Sequence, residues 1–183
     1  MLYFVSLLCL QVSAAPEKEE SHLQHRRLNI VRNKRWKDRD SDGWVVIPYT
    51  TSSEIDDDFK DLIRSALDDL ENRSGCLKFV PWSSEKHYIN VVQLEEGCSS
   101  EIGMQKNSQT INLSVRCKVT GRVQHEFMHA LGFHHEQSRP DRDNYVKINL
   151  DKVEGGKEHN FWLEKDSETL GSPYDYGSVM HYS

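Results

Sequence analysis

The chain has 183 residues, a formal net charge of -6 and 28% charged side chains. That length suits one domain with room for a small second lobe. The acidic balance, with no clustered basic face, argues against a nucleic-acid binder. No stretch after the first residues is apolar and long enough for a membrane span, so a soluble protein is expected.

Met1 to Ala15 reads MLYFVSLLCLQVSAA. The apolar part, Leu2 to Leu10, is too short to cross a bilayer, and Val12-Ser13-Ala14 suits a signal peptidase cutting after Ala14. Residues 1–14 are therefore expected to be a secretory signal, against the alternative of a short buried strand. An exported chain meets an oxidising compartment, where disulfides form. Losing the signal removes Cys9 and leaves Cys76, Cys98 and Cys117. With three cysteines, one is free, pairs between chains, or lacks its partner in this sequence.

Residues 15–35 are polar and lack apolar periodicity, which predicts a flexible stretch. It ends in Arg32-Asn33-Lys34-Arg35, a basic cluster open to trypsin-like or furin-like proteases. The segment reads as a pro-segment cut after Arg32 or Arg35, against a solvated basic turn. An activating protease is thus an expected partner, and residues 36–183 form the expected folded domain.

Regular structure is expected to start at Trp44–Thr50, a β-rich run in which Pro48 suggests a strand end or edge. A helix follows. Ser52 or Ser53 can cap it, and Asp56, Asp57 and Asp58 lie in its first turns, where the helix dipole favours anions. Ile55, Phe59, Leu62, Ile63, Ala66, Leu67 and Leu70 make one apolar face, and Gly75 lies just past the end. Strand-like runs come next, at Leu77–Val80, Tyr88–Leu94 and Thr110–Val115. A second helix is expected from about Gly121 to Gly132, with one short helix possible between Asp151 and Phe161. This order describes an α+β domain with two unequal lobes.

The most informative stretch is His125-Glu126-Phe127-Met128-His129-Ala130-Leu131-Gly132-Phe133-His134-His135-Glu136. On a helix, His125 and His129 are i and i+4, so both imidazoles leave one face and can ligate one ion. Glu126, beside them, is placed to act as general base on a water in the metal's open position. Gly132 can take the left-handed conformation that stops the helix, and the chain can then bring His135 back as third ligand. Three protein ligands and one open position describe a catalytic zinc site, whereas a structural site is closed by four. The five-position pattern arises by chance roughly once in a million starting points. His134 reads as a neighbour of His135 and not as a ligand.

HEFMHALGFHHEQSRPDRD, from His125 to Asp143, followed by Ser178-Val179-Met180-His181-Tyr182, resembles the astacin family of metzincin endopeptidases, nearest to its hatching-enzyme and nephrosin-like branch. The likeness runs from about Trp44 to Ser183. It implies a two-lobed metzincin domain, with a mixed sheet and two helices first and an irregular lobe after. It implies one zinc ion per chain on His125, His129 and His135, with Glu126 as base. Met180 would form an apolar floor beneath the imidazoles. Tyr182 would be a fifth ligand that swings away to hydrogen-bond the tetrahedral intermediate. Glu136 would receive the amino terminus freed by processing. The segment near Thr110–Val115 would be the edge strand that binds substrate antiparallel. Cys98 would pair with Cys117, and Cys76 with a cysteine near the family's C-terminus.

There are three departures from the family pattern. Family members continue for some tens of residues past the Met-turn tyrosine, which implies that this sequence is incomplete. No FxGD motif, the usual zinc-blocking element of the pro-segment, lies between Ala15 and Arg35. The amino-terminal cysteine pair of many hatching enzymes is also absent. The function expected is therefore a secreted, monomeric zinc endopeptidase acting on protein or peptide substrates. The rivals are an inactive secreted binding protein of the same fold, or a structural zinc module.

Overall fold

A computed structural model describes residues 29–31 and 34–182; the expected signal, most of the expected pro-segment and Ser183 lie outside those residues. The chain forms β1 (Ile30–Val31), β2 (Val45–Thr51), α1 (Asp57–Ser74), β3 (Leu77–Pro81), β4 (Ile89–Val92), β5 (Cys98–Ser100), β6 (Gln109–Leu113), α2 (Thr120–Ala130) and β7 (Ser167–Glu168). A five-stranded sheet runs β3-β2-β4-β6-β5. β2, β3, β4 and β6 are mutually parallel, and β5 is antiparallel to β6. This is the expected α+β arrangement: a mixed sheet with two helices, then a lobe of short 3-10 turns.

β2 and β3 are joined through α1, the crossover that a parallel pair requires. The apolar stripe of α1 goes inward, with Phe59, Ile63, Ala66 and Leu67 fully buried. Its cap is Asp56, not Ser52 or Ser53: the Asp56 carboxylate accepts the Phe59 N–H at 2.7 Å from an extended backbone. Ser52 lies earlier, and its carbonyl accepts the Ile55 N–H in the preceding turn. Gly75, at φ 66°, ends the helix as expected.

Four other expectations are corrected. Pro48 lies inside β2, at a point where only β3 runs alongside, since β4 pairs with Tyr49–Thr51; the missing N–H is tolerated because that side of the strand is open there. The Thr110–Val115 segment is not an edge, because β6 is paired on both sides and the edge strand is β5. In place of an α-helix between Asp151 and Phe161, two short 3-10 helices form at Leu150–Lys152 and Glu158–Phe161, separated by Gly155 and Gly156. Finally, folded structure starts before Trp44. Asn29 is 2% exposed, Ile30 1% and Trp36 3%, with the Trp36 indole N–H donating to the Ala130 carbonyl at 2.9 Å. These residues carry no period because their partners lie about a hundred positions away.

α2 crosses the sheet with Phe127 wholly buried, its ring edge-on to Phe79 at 5.5 Å and to Tyr49 at 6.3 Å. The Cys98–Cys117 disulfide, with Cα atoms 6.0 Å apart, ties the edge strand to the turn leading into α2. Cys76 is half-buried at the start of β3, and the question of its partner falls outside the described residues. Phe127→Ala is expected to cost about 3–5 kcal/mol through the cavity left between helix and sheet. Denaturant midpoints of the two proteins measure this, and a loss below about 1 kcal/mol would mean that α2 is held mainly from elsewhere.

Candidate metal centre

Three elements bring the histidines together. His125 and His129 leave the same face of α2. The helix stops at Ala130, and Gly132, at φ 107°, reverses the chain, a conformation costly to any residue with a Cβ. His135 then returns to the first two rings. Its Nε2 lies 3.1 Å from His129 Nε2 and 3.2 Å from His125 Nε2. Tetrahedral zinc with Zn–N bonds of about 2.0–2.1 Å would set its nitrogen ligands roughly 3.3 Å apart, so the spacing fits zinc.

The hydrogen bonds explain why such a cluster calls for a cation. His125 Nδ1 lies 2.8 Å from the Val179 carbonyl, and His129 Nδ1 lies 2.8 Å from the Phe133 carbonyl. A carbonyl only accepts, so each Nδ1 carries the proton, and each Nε2 is left as a bare lone pair. One N–H on His135 could serve one of those lone pairs, but not both. Burial lowers the pKa of all three rings, that of His129 to about 4 and that of His135 to about 3, with the neighbouring imidazoles adding to the effect on those two. Lowered in this way, the rings favour the neutral form that a metal ion requires of an imidazole. Among the described residues this is the one grouping of three or more His, Cys, Asp or Glu side chains able to hold a metal ion.

Glu126, 5% exposed, stands on α2 beside His125 and shares a cavity with it; burial raises its carboxyl pKa to about 7. The Tyr182 ring packs 4.5 Å from the His135 ring, and burial followed by the nearby Glu126 charge raises its phenol pKa. Met180 is buried in the core, and its carbonyl accepts the Glu136 N–H at 2.9 Å, joining its segment to the residue after the third histidine. His134 stands outside the cluster, 3.7 Å from Glu164.

The motif reading missed three supports. Arg139, wholly buried, reaches Glu136 at 2.9 Å and Asp141 through two parallel contacts at 2.9 Å, and it donates to the Ser172 and Pro173 carbonyls. Glu136 also accepts the Asp175 N–H at 2.9 Å. Gln137 accepts the Tyr182 N–H at 3.0 Å and so fixes the backbone of that tyrosine. The third support is the strap Asn29–Val31. Its Asn29 amide donates to the His135 carbonyl at 2.7 Å, its Asn29 carbonyl accepts the His134 N–H at 2.9 Å, and its Val31 N–H donates to the Gly132 carbonyl at 3.0 Å. Arg139 was visible only as part of a resemblance, and no local pattern marks Gln137 or the strap.

A mixed-sheet domain with three convergent imidazoles, an adjacent buried glutamate and a neighbouring tyrosine defines a zinc-peptidase type of site. The family model for Astacin, a family of peptidases, matches residues 32–183, and the chain belongs to that family. It is 44% identical over 141 residues to meprin A subunit beta of Rattus norvegicus, covering 75% of this chain and 20% of that protein. It is 40% identical over 149 residues to the low choriolytic enzyme of Oryzias latipes, covering 81% of this chain and 54% of that one. The chain thus spans a fifth to about half of the length of these relatives. Among solved structures it resembles high choriolytic enzyme 1, a hatching enzyme zinc-protease from Oryzias latipes, with a TM-score of 0.77 and 38% identity over 84% of this chain and 78% of that one. Myroilysin, at 21% identity and a TM-score of 0.58, shares the fold over 84% of this chain and 82% of that one.

Ile30→Ala tests whether the strap holds the third histidine of the cluster. It is expected to cost about 2–5 kcal/mol of stability and to speed zinc loss to a chelator. Unchanged zinc release in a destabilised variant would limit the strap to a packing role.

Proposed function

We propose that the chain is the catalytic part of a secreted zinc endopeptidase, with one zinc ion on His125, His129 and His135 and Glu126 as general base. The observation that carries this reading is the convergence of three Nε2 atoms, with His135 3.1 Å and 3.2 Å from the other two, next to a buried carboxylate. When bound, zinc supplies a Lewis acid that polarises a peptide carbonyl and lowers the pKa of water towards ~7. The chain's own residues do the rest. Glu126 takes a proton from the attacking water and returns it to the departing amine, which breaks the C–N bond without a net change in protonation. Tyr182 donates its phenol O–H to the oxyanion formed at the carbonyl, a contact stronger in the transition state than in the substrate.

The class of substrate is protein or peptide. A match to relatives that include a hatching enzyme zinc-protease supports this, as does the position of β5 at the outer edge of the sheet among the described residues, where an extended peptide can add as a strand. Among the described residues no helix is long and apolar enough to cross a membrane, and the signal-like residues 1–14 point to export. A monomer processed by an activating protease completes the reading. A cut after Arg32 or Arg35 would part the Asn29–Val31 strap from the chain that follows it, so amino-terminal sequencing of the active form is informative about the bond used.

The test is cleavage of casein by the processed chain, with zinc content measured alongside. Glu126→Gln is expected to keep one zinc per chain and lose activity by about 10²–10⁴-fold. Equal rates would remove Glu126 from the mechanism, and zinc without turnover in the wild-type chain would favour the inactive binding protein. Tyr182→Phe is expected to slow turnover by about 10²-fold at unchanged zinc content; near-normal rates would exclude it. Removing zinc with a chelator should abolish cleavage and lower the Tm, because metal bound only to the folded state stabilises it. An unchanged Tm would argue against the three-histidine site as the place of binding.

A further inference from the structure

The proposed oxyanion donor, Tyr182, is useful only if its phenol is held in one place. Its ring stands between two others, 4.5 Å from the His135 ring and edge-on to the Phe161 ring at 6.0 Å. Its backbone is tied on both sides. The N–H donates to the Gln137 side chain at 3.0 Å, and the carbonyl accepts from Nδ1 of His181, the residue just before it. A carbonyl only accepts, so His181 Nδ1 carries the proton and Nε2 is left with a lone pair. That lone pair has a donor. The Tyr174 hydroxyl lies 2.8 Å from His181 Nε2 and donates to it. A hydrogen bond at one ring nitrogen fixes the tautomer and orientation of an imidazole, and with them the bond made by the other.

Tyr174 is itself firmly seated. It is 6% exposed, its ring stacks on the Tyr145 ring at 5.0 Å, and the Arg139 guanidinium carbon lies 5.3 Å from its ring centre. Burial first, and the Glu136 charge next, push its phenol up to about 12, so the hydroxyl stays a donor at neutral pH. The ring contacts would be met equally well by phenylalanine. The hydroxyl adds one thing to them, the bond to His181.

We infer that Tyr174 is a positioning residue for the reaction, acting through His181 to hold the Tyr182 phenol where the oxyanion forms. Its hydroxyl sets the His181 ring, and that ring sets the Tyr182 backbone. The inference rests on the proposed role of Tyr182 and deepens it.

The experiment measures kcat and KM separately on a quenched peptide. Tyr174→Phe keeps the ring and removes only the hydroxyl, so the fold and the zinc content should be retained. Its kcat is expected to fall about tenfold at unchanged KM, because a misplaced transition-state donor is felt in the chemical step. In a Tyr182→Phe background the same change should have no further effect, since a residue acting through a missing group cannot add to its loss. Equal losses in the two backgrounds would overturn the proposal and leave Tyr174 a general structural support. An unchanged kcat in Tyr174→Phe, where Tyr182→Phe is slow, would do the same. His181→Asn, whose amide N–H can still reach the Tyr182 carbonyl, should keep more activity than His181→Leu, which has no donor. Equal activity of those two variants would remove His181 from the relay.

A readout without turnover keeps the proposal separate from the peptidase reading. In protein made with fluorotyrosine, the fluorine resonance lost in Tyr182→Phe belongs to Tyr182, and Tyr174→Phe is expected to shift or broaden it. If that resonance moves although Tyr182→Phe cleaves at the wild-type rate, the catalytic role of Tyr182 fails and the positioning stands. A resonance unmoved by Tyr174→Phe would overturn the positioning whatever the activity.

Discussion

The site depends on one constraint: the chain must leave α2 within two residues of its second histidine and come back. An α-helix that continued past Ala130 would carry His135 away from the face that holds His125 and His129, because six residues past His129 amount to well over one further turn. Gly132 makes the reversal sterically possible. The backbone partners then hold it: the Val31 N–H on the Gly132 carbonyl, the Asn29 carbonyl on the His134 N–H, and the Met180 carbonyl on the Glu136 N–H.

The lobe after α2 has little regular structure, and buried charge takes the place of a sheet. Arg139 is enclosed by Glu136, Asp141 and the carbonyls of Ser172 and Pro173, with the Tyr174 ring 5.3 Å from its guanidinium carbon. An arginine can be buried there because each face of its fork is met by an acceptor; a lone buried charge would be strongly destabilising. The same group ties the loop after His135 to residues 172–175, which lead to Met180 and Tyr182. Charge pairing, metal loop and tyrosine thus form one connected unit. This Arg139 contact also gives Glu136 a partner in the present state, beside the role that the family resemblance assigns to it.

Burial accounts for the electrostatics on the other side of the helix. Glu126 and the three imidazoles are pushed towards neutrality by the same desolvation, upward in pKa for the acid and downward for the rings. Arg122 lies one turn before them on the same helix and is exposed. α2 thus carries two of the three imidazoles and the buried acid within two turns, and His135 joins them from the loop that follows.

How much of this was legible follows from the range of the forces involved. α1, the start and stop of α2 and the strand-like runs could be read from the chain, since apolar period, glycine stops and β-rich runs act between near neighbours. The i, i+4 histidines and the glycine were equally local, so the metal site could be read too. Pairing partners could not be read: β6 looked like an edge until β5, a short polar strand of Cys98–Ser100, was seen to cover it. The two-residue β1 and the buried Asn29 depend on Phe133, His134 and Ser167–Glu168, contacts that leave no period in the sequence. By itself the sequence determined the helices, the three-histidine cluster and the family, because each is encoded in short stretches of backbone. Only the tertiary structure decided which strand is free, what braces the returning histidine and what surrounds Arg139, because burial and hydrogen bonding between distant segments exist only once the chain has closed on itself.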